Sequence, residues 1–111
     1  MTARKPPEVA LANGHGTARQ DLEAALAAAQ LKGRPVPCRG PEAHAWTSHD
    51  AETLEVAALL CHVCPVLTVC ASYAVAAGED GGAWGAMTPT RIRRARRRAQ
   101  EQKTRRADRA A

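Results

Sequence analysis

The sequence predicts a small all-α domain of three to four short helices held around a metal centre. A disordered N-terminal leader precedes it and a basic C-terminal helix or tail follows. Three observations carry this prediction. Apolar residues recur at three- and four-residue intervals, and no stretch alternates as a strand would. Helix start and stop residues punctuate those stretches. Large apolar side chains are scarce, whereas four cysteines are present. Of 111 residues 25 are Ala, against 8 Leu, 7 Val, 1 Ile, 2 Trp, 1 Tyr and no Phe, so the core is thin. Below roughly 70–80 ordered residues a core supplies only about 3–5 kcal/mol, and a metal, a disulfide or a partner has to supply the rest.

Residues 1–16 read as the leader, rich in Pro and Gly with scattered charge. Residues 17–32 read as a helix. Thr17 and Gln20 form a capping-box pair at its start, Leu22, Leu26 and Ala29 share a stripe, and Gly33 and Pro35 end it. That helix is expected to pack peripherally. Residues 33–47 read as a loop carrying Cys38, three prolines and Trp46.

The next helix begins at Asp50, an N-cap residue, with Glu52 and Glu55 early, where the helix dipole favours anions. Leu54, Ala57, Ala58, Cys61 and Cys64 fall on its core side. Pro65 excludes Cys64 from the α region and offers itself as the first residue of a further helix. Val66, Val69, Cys70, Tyr73 and Ala77 form that helix's apolar face, and Gly78 is the left-handed residue that closes it. Residues 78–87 form a Gly-rich turn around Trp84. Thr88 and Pro89 then open a basic helix over 89–107 in which Ile92 is the one large aliphatic residue.

Charge is divided along the chain. Residues 91–111 hold ten basic and two acidic groups, while residues 1–90 hold six basic and nine acidic ones. A cationic tail on a near-neutral body suits an anionic polymer, and double-stranded DNA is the expected partner. Arg93, Arg94, Arg96, Arg97 and Arg98 are the densest part of the block. The tail has no aromatic residue, so contact with phosphates is expected rather than base stacking. No membrane role is expected, because no run of about 18 apolar residues occurs. The N-terminus has no apolar stretch behind its charges, which places the chain in the cytoplasm, where thiols stay reduced.

The cysteines follow the pattern Cys38-x22-Cys61-x2-Cys64-x5-Cys70. Four thiolates close a shell around zinc or hold an iron–sulfur cluster, and the spacing leaves both open. A thiol–disulfide oxidoreductase using Cys61 and Cys64 is a third reading. It is disfavoured because the pair falls at a helix C-terminal end, where the dipole opposes a thiolate. No Ser/His/Asp set, paired-carboxylate site or phosphate-binding loop stands out, so an enzyme is not expected. Trp84 reads either as a lid on the small core or as an aromatic anchor for a partner.

Cys61-His62-Val63-Cys64-Pro65-Val66, then Cys70, Gly78-Glu79, Gly82-Ala83-Trp84-Gly85-Ala86 and the basic tail resemble the WhiB-like transcription regulators of actinobacteria and their phages. The resemblance covers about residues 38–99. It implies a [4Fe–4S] cluster with Cys38, Cys61, Cys64 and Cys70 each ligating one iron, over a domain spanning 17–88. It implies that the turn bearing Gly82, Trp84 and Gly85, with Trp46 nearby, docks on the C-terminal domain of a primary sigma factor of RNA polymerase. The chain would then be a monomer that forms a heterodimer with the sigma domain, with residues 89–111 contacting promoter DNA and the cluster open to redox or nitric-oxide sensing. The sequence departs from the family at three places. Trp46 stands alone where an aromatic pair is usual, Ala86 replaces the turn's final Gly, and Arg91 stands where an acid often precedes the arginines.

Overall fold

The computed structural model describes residues 15–110, and the first 14 residues of the expected leader lie outside them. Among the described residues there are four α-helices: α1 (His15–Leu31), α2 (Ala51–Leu60), α3 (Leu67–Ala77) and α4 (Pro89–Ala110). The all-α expectation is met. Short 3₁₀ turns at Pro37–Arg39, Ala43–Thr47 and Cys61–Val63 fill the connections, and a β-bridge joins Trp84 to Met87. Among the described residues no helix is long and apolar enough to cross a membrane.

Helix α1 starts at His15, two residues before the expected start, so Thr17 and Gln20 lie inside it and form no capping box there. Its role also exceeds peripheral packing. Leu22 and Ala29 are buried against Val66 and Tyr73 of the α3 segment, with Leu26, Val69 and Cys70 closing around them. A 17-residue Ala-rich helix gains its stability mainly from such a packed face. Gly33, at φ +67°, ends the helix as expected, and Arg34 N–H returns to the Ala29 carbonyl at 2.9 Å.

Helix α2 is capped as the sequence predicts. The Asp50 carboxylate accepts from the Thr53 amide at 2.9 Å and the Thr53 hydroxyl at 2.7 Å, which holds its pKa below the usual value. One face of α2 buries Leu54, Ala57 and Ala58, and Leu54 and Ala57 join Trp46, Cys61 and Ala83 in a first small core. The opposite face leaves Val56, Leu59, Leu60 and, in the following turn, Val63 exposed.

The helix tightens to 3₁₀ geometry at Cys61–Val63, and Cys64 is extended (φ −81°, ψ 133°), as a residue before proline must be. Pro65, however, does not open the next helix. Val66 is the N-cap and α3 begins at Leu67, because Pro65 and Val66 are spent reversing the chain after Cys64. Gly78 closes α3 in the left-handed conformation (φ 67°, ψ 43°), as expected.

Helix α4 opens at Pro89 and runs to Ala110, three residues past the expected end. Its first two turns belong to the body. Ile92 is fully buried, and Arg91 pairs with Glu55 of α2 at 2.6 Å. Arg96 donates to the Val75 and Ala76 carbonyls at 2.7 and 3.1 Å, satisfying acceptors that the end of α3 would leave open. From Arg97 to Ala110 every residue is exposed.

Truncation should therefore divide α4 unequally. Removing residues 97–111 is expected to leave the thermal midpoint within a few degrees of the intact chain. Ile92→Ala, which empties a fully enclosed site, should cost about 2–4 kcal/mol in chemical denaturation. Equal effects from the two changes would show that the inner turns of α4 are not part of the core.

Candidate metal centre

Three segments bring the four cysteines to one place. Cys38 comes from the 3₁₀ turn after α1, Cys61 and Cys64 flank the turn after α2, and Cys70 lies in the first turns of α3. All four line a single cavity of about 910 Å³. Among the described residues no group of three or more His, Cys, Asp or Glu side chains is gathered closely enough to hold a single metal ion. The cysteines still sense one another. The thiolate charges of Cys64 and Cys61 oppose ionisation of Cys38, and those of Cys61, Cys38 and Cys64 oppose ionisation of Cys70.

Burial dominates both of those shifts. It raises the Cys38 thiol, although the residue as a whole is exposed. It raises Cys70 furthest, to about 12, partly offset by a hydrogen bond from the Gly85 backbone. Both thiols are thus neutral near pH 7, which makes them poor nucleophiles. A soft cation entering the cavity would displace their protons.

The Gly-rich turn closes one side of this arrangement. Ala83 N–H donates to the Trp46 carbonyl at 2.9 Å, and Trp84 and Met87 exchange backbone bonds at 3.0 and 2.8 Å. Gly82, at φ +80°, has room for no Cβ, since one would lie 2.8 Å from the Trp46 carbonyl oxygen. Gly85, at φ +52°, is tighter still, since an added Cβ would run into the Ala71 backbone. That approach sets the Gly85 amide against the neighbouring Cys70. Ala86 takes φ +66° without being glycine, at the position where the sequence departs from the related turn.

The two tryptophans occupy different settings. Trp46, expected at a partner surface, is 6% exposed and belongs to the first core. Its indole N–H donates to Cys61 Sγ at 3.4 Å. Trp84 is half-buried, with its ring 5.3 Å from that of Tyr73 and its N–H on the Gly81 carbonyl at 2.8 Å. Tyr73 in turn donates to Glu79 at 2.6 Å. Neither the Trp46–Cys61 contact nor the Gly85–Cys70 contact is legible in the sequence. The spacing of the cysteines was visible, but what donates to their sulfurs depends on tertiary approach. Arg93, Arg94, Arg97 and Arg98 lie exposed on α4, while Arg96 is occupied at the end of α3.

Comparison with known proteins converges on the same segment. The sequence model of the family described as "Transcription factor WhiB" matches residues 34–99. The chain is similar to the "Transcriptional regulator WhiB1" of two Mycobacterium tuberculosis strains, CDC 1551/Oshkosh and H37Rv. Each match is 45% identical over 42 residues, covering 38% of this chain and 50% of the relative. The chain thus spans about half the length of those curated relatives. No solved structure matches it.

Gly85→Ala should reveal how much the closure of the turn contributes. The added methyl meets backbone at Ala71 and sits at positive φ, and the expected cost is about 2–4 kcal/mol by urea denaturation. Gly81→Ala serves as control, because nothing lies within 4 Å of its added Cβ. It should cost under about 0.5 kcal/mol, and similar losses from both variants would contradict the steric account.

Proposed function

Because the chain belongs to the WhiB family of transcription factors, we propose that it is a [4Fe–4S] transcription regulator. In this reading it docks on the C-terminal domain of a primary sigma factor of RNA polymerase and contacts promoter DNA through α4. The observation that carries the proposal is the cavity walled by Cys38, Cys61, Cys64 and Cys70. A cubane cluster binds each ligand sulfur through a different iron, so it suits four thiols that three segments bring to one cavity. A single zinc ion gathers its ligands at about 2.3 Å from one point.

The residues fit such a group chemically as well as spatially. Cys38 and Cys70 give up their protons on ligation, so loading is favoured by rising pH. The Gly85 amide and the Trp46 indole are aimed at sulfur rather than at oxygen acceptors. Bound there, the cluster would supply one-electron chemistry and a site open to oxygen or nitric oxide. The protein's part is to join the α1–α2 loop, α2 and α3 through it.

On the sigma side, Trp84 is the residue that offers an aromatic edge. Tyr73 and the Gly81 carbonyl fix its ring, and its half-exposure leaves area for a partner. Gly82 and Gly85 serve that surface by holding the turn in place. A monomer pairing one-to-one with the sigma domain is the assembly this implies. On the DNA side, Arg93, Arg94, Arg97 and Arg98, with the basic residues beyond them, are exposed and can reach phosphates.

Metal analysis tests the centre. Protein purified without oxygen should hold about four iron and four inorganic sulfide per chain. Stoichiometric zinc without sulfide would establish instead a zinc-stabilised nucleic-acid-binding module.

The tail is tested by salt. Residues 97–111 carry six basic groups. If about four reach phosphates, log affinity for duplex DNA should fall with log salt at a slope steeper by roughly 4 than that of the chain lacking them. Equal slopes for the intact and shortened chains would remove α4 from the DNA interface.

A further inference from the structure

We propose that Trp46 tunes the metal centre by donating its indole N–H to the sulfur of Cys61, which raises the centre's reduction potential and shields that ligand from water. This inference rests on the cluster reading above and concerns a residue that no cysteine pattern would single out.

The geometry is specific. Nε1 lies 3.4 Å from Cys61 Sγ, an ordinary separation for a donor on sulfur. Trp46 and Cys61 are 6% and 7% exposed, so bulk water does not compete for either group. Indole nitrogen only donates, and a buried indole N–H needs an acceptor. The sulfur of Cys61 is the acceptor the structure provides.

The ring is also held in place. The Trp46 carbonyl accepts from Ala83 N–H, and Gly82 packs against the same oxygen too closely for any side chain. Leu54, Ala57 and Ala83 enclose the rest of the ring in the first core. The contact is thus fixed by the fold.

A donor on a ligand sulfur withdraws part of the charge that the thiolate lends to iron. The more electron-rich state gains more from that withdrawal, so the reduction potential rises. Cys70 carries a comparable donor in the Gly85 amide, but that one is backbone and cannot be removed by substitution. Trp46 is the donor that a single substitution can delete while an aromatic ring stays in place.

Trp46→Phe is the test, read by potentiometric titration of the anaerobically purified full-length protein. Iron and sulfide are measured first on the wild type, and their absence would overturn the cluster reading itself. With four of each present, the variant's potential should fall, moving the reduction equilibrium about tenfold, or ~59 mV for a one-electron couple. An unchanged potential in an intact variant cluster would overturn the proposal.

Should the variant fail to load, a second measurement decides on the wild type. Pulsed electron paramagnetic resonance of the reduced protein, with ¹⁵N placed in the indole rings, should show a coupling between the cluster and Nε1. A Trp84→Phe background assigns that coupling to Trp46. Its absence would show that the N–H does not touch a ligand sulfur.

Discussion

The domain depends on how closely the backbone of residues 82–85 approaches its neighbours. Two small hydrophobic clusters make up the interior, one around Trp46, Leu54 and Ala57, the other around Leu22, Val66 and Tyr73. The turn reaches both, with Ala83 buried in the first and Trp84 packed on the second. It does so because Gly82 sits on the Trp46 carbonyl and Gly85 on the Ala71 backbone, where no side chain fits. The same approach sets Gly85 against Cys70 and steadies the loop that carries Trp46 toward Cys61. Local backbone chemistry in a ten-residue stretch thus governs the wall of the cysteine-lined cavity.

The parts of the fold legible in the sequence are those decided by local chemistry. Asp50 and Gly78 terminate helices as read, because a cap or a left-handed residue needs only its own few neighbours. Pro65 keeps Cys64 extended, as its ring predicts, but it does not open α3, since the chain reverses through Val66 before the helix can start. The four cysteines were legible as a set and their shared cavity followed. What faces their sulfurs was not legible, because Trp46 is fifteen residues from Cys61 and meets it only through the folded loop. Helix α2 is apolar on both sides, with Leu54 and Ala57 buried while Val56 and Leu59 are exposed. Hydrophobicity along it therefore carries little information about which side is the core.

The arginine run illustrates a different limit. By composition residues 91–98 form one block, yet the fold divides it. Arg91 is paired with Glu55, and Arg96 covers the carbonyls at the end of α3 beside Gly78, whose lack of a side chain leaves room for the guanidinium. The neighbouring arginines have no such role in the fold and keep their charge for solvent or a ligand. Arginine suits both tasks, since its planar fork can bond two carbonyls as readily as it bonds a phosphate. Sequence density alone cannot separate the two.

The anchoring of α4 also has a mechanical consequence. Ile92 and Arg96 clamp the root of the helix, and about 14 residues beyond them stand clear of the body. That segment is a lever roughly 21 Å long. A rotation of about 10° at the clamp swings its tip by about 4 Å, close to the ~3.4 Å rise of one base-pair step. Because the clamp rests on the C-terminal end of α3, small changes in how that helix sits are magnified at the far end of the arm, where they become differences in reach and register.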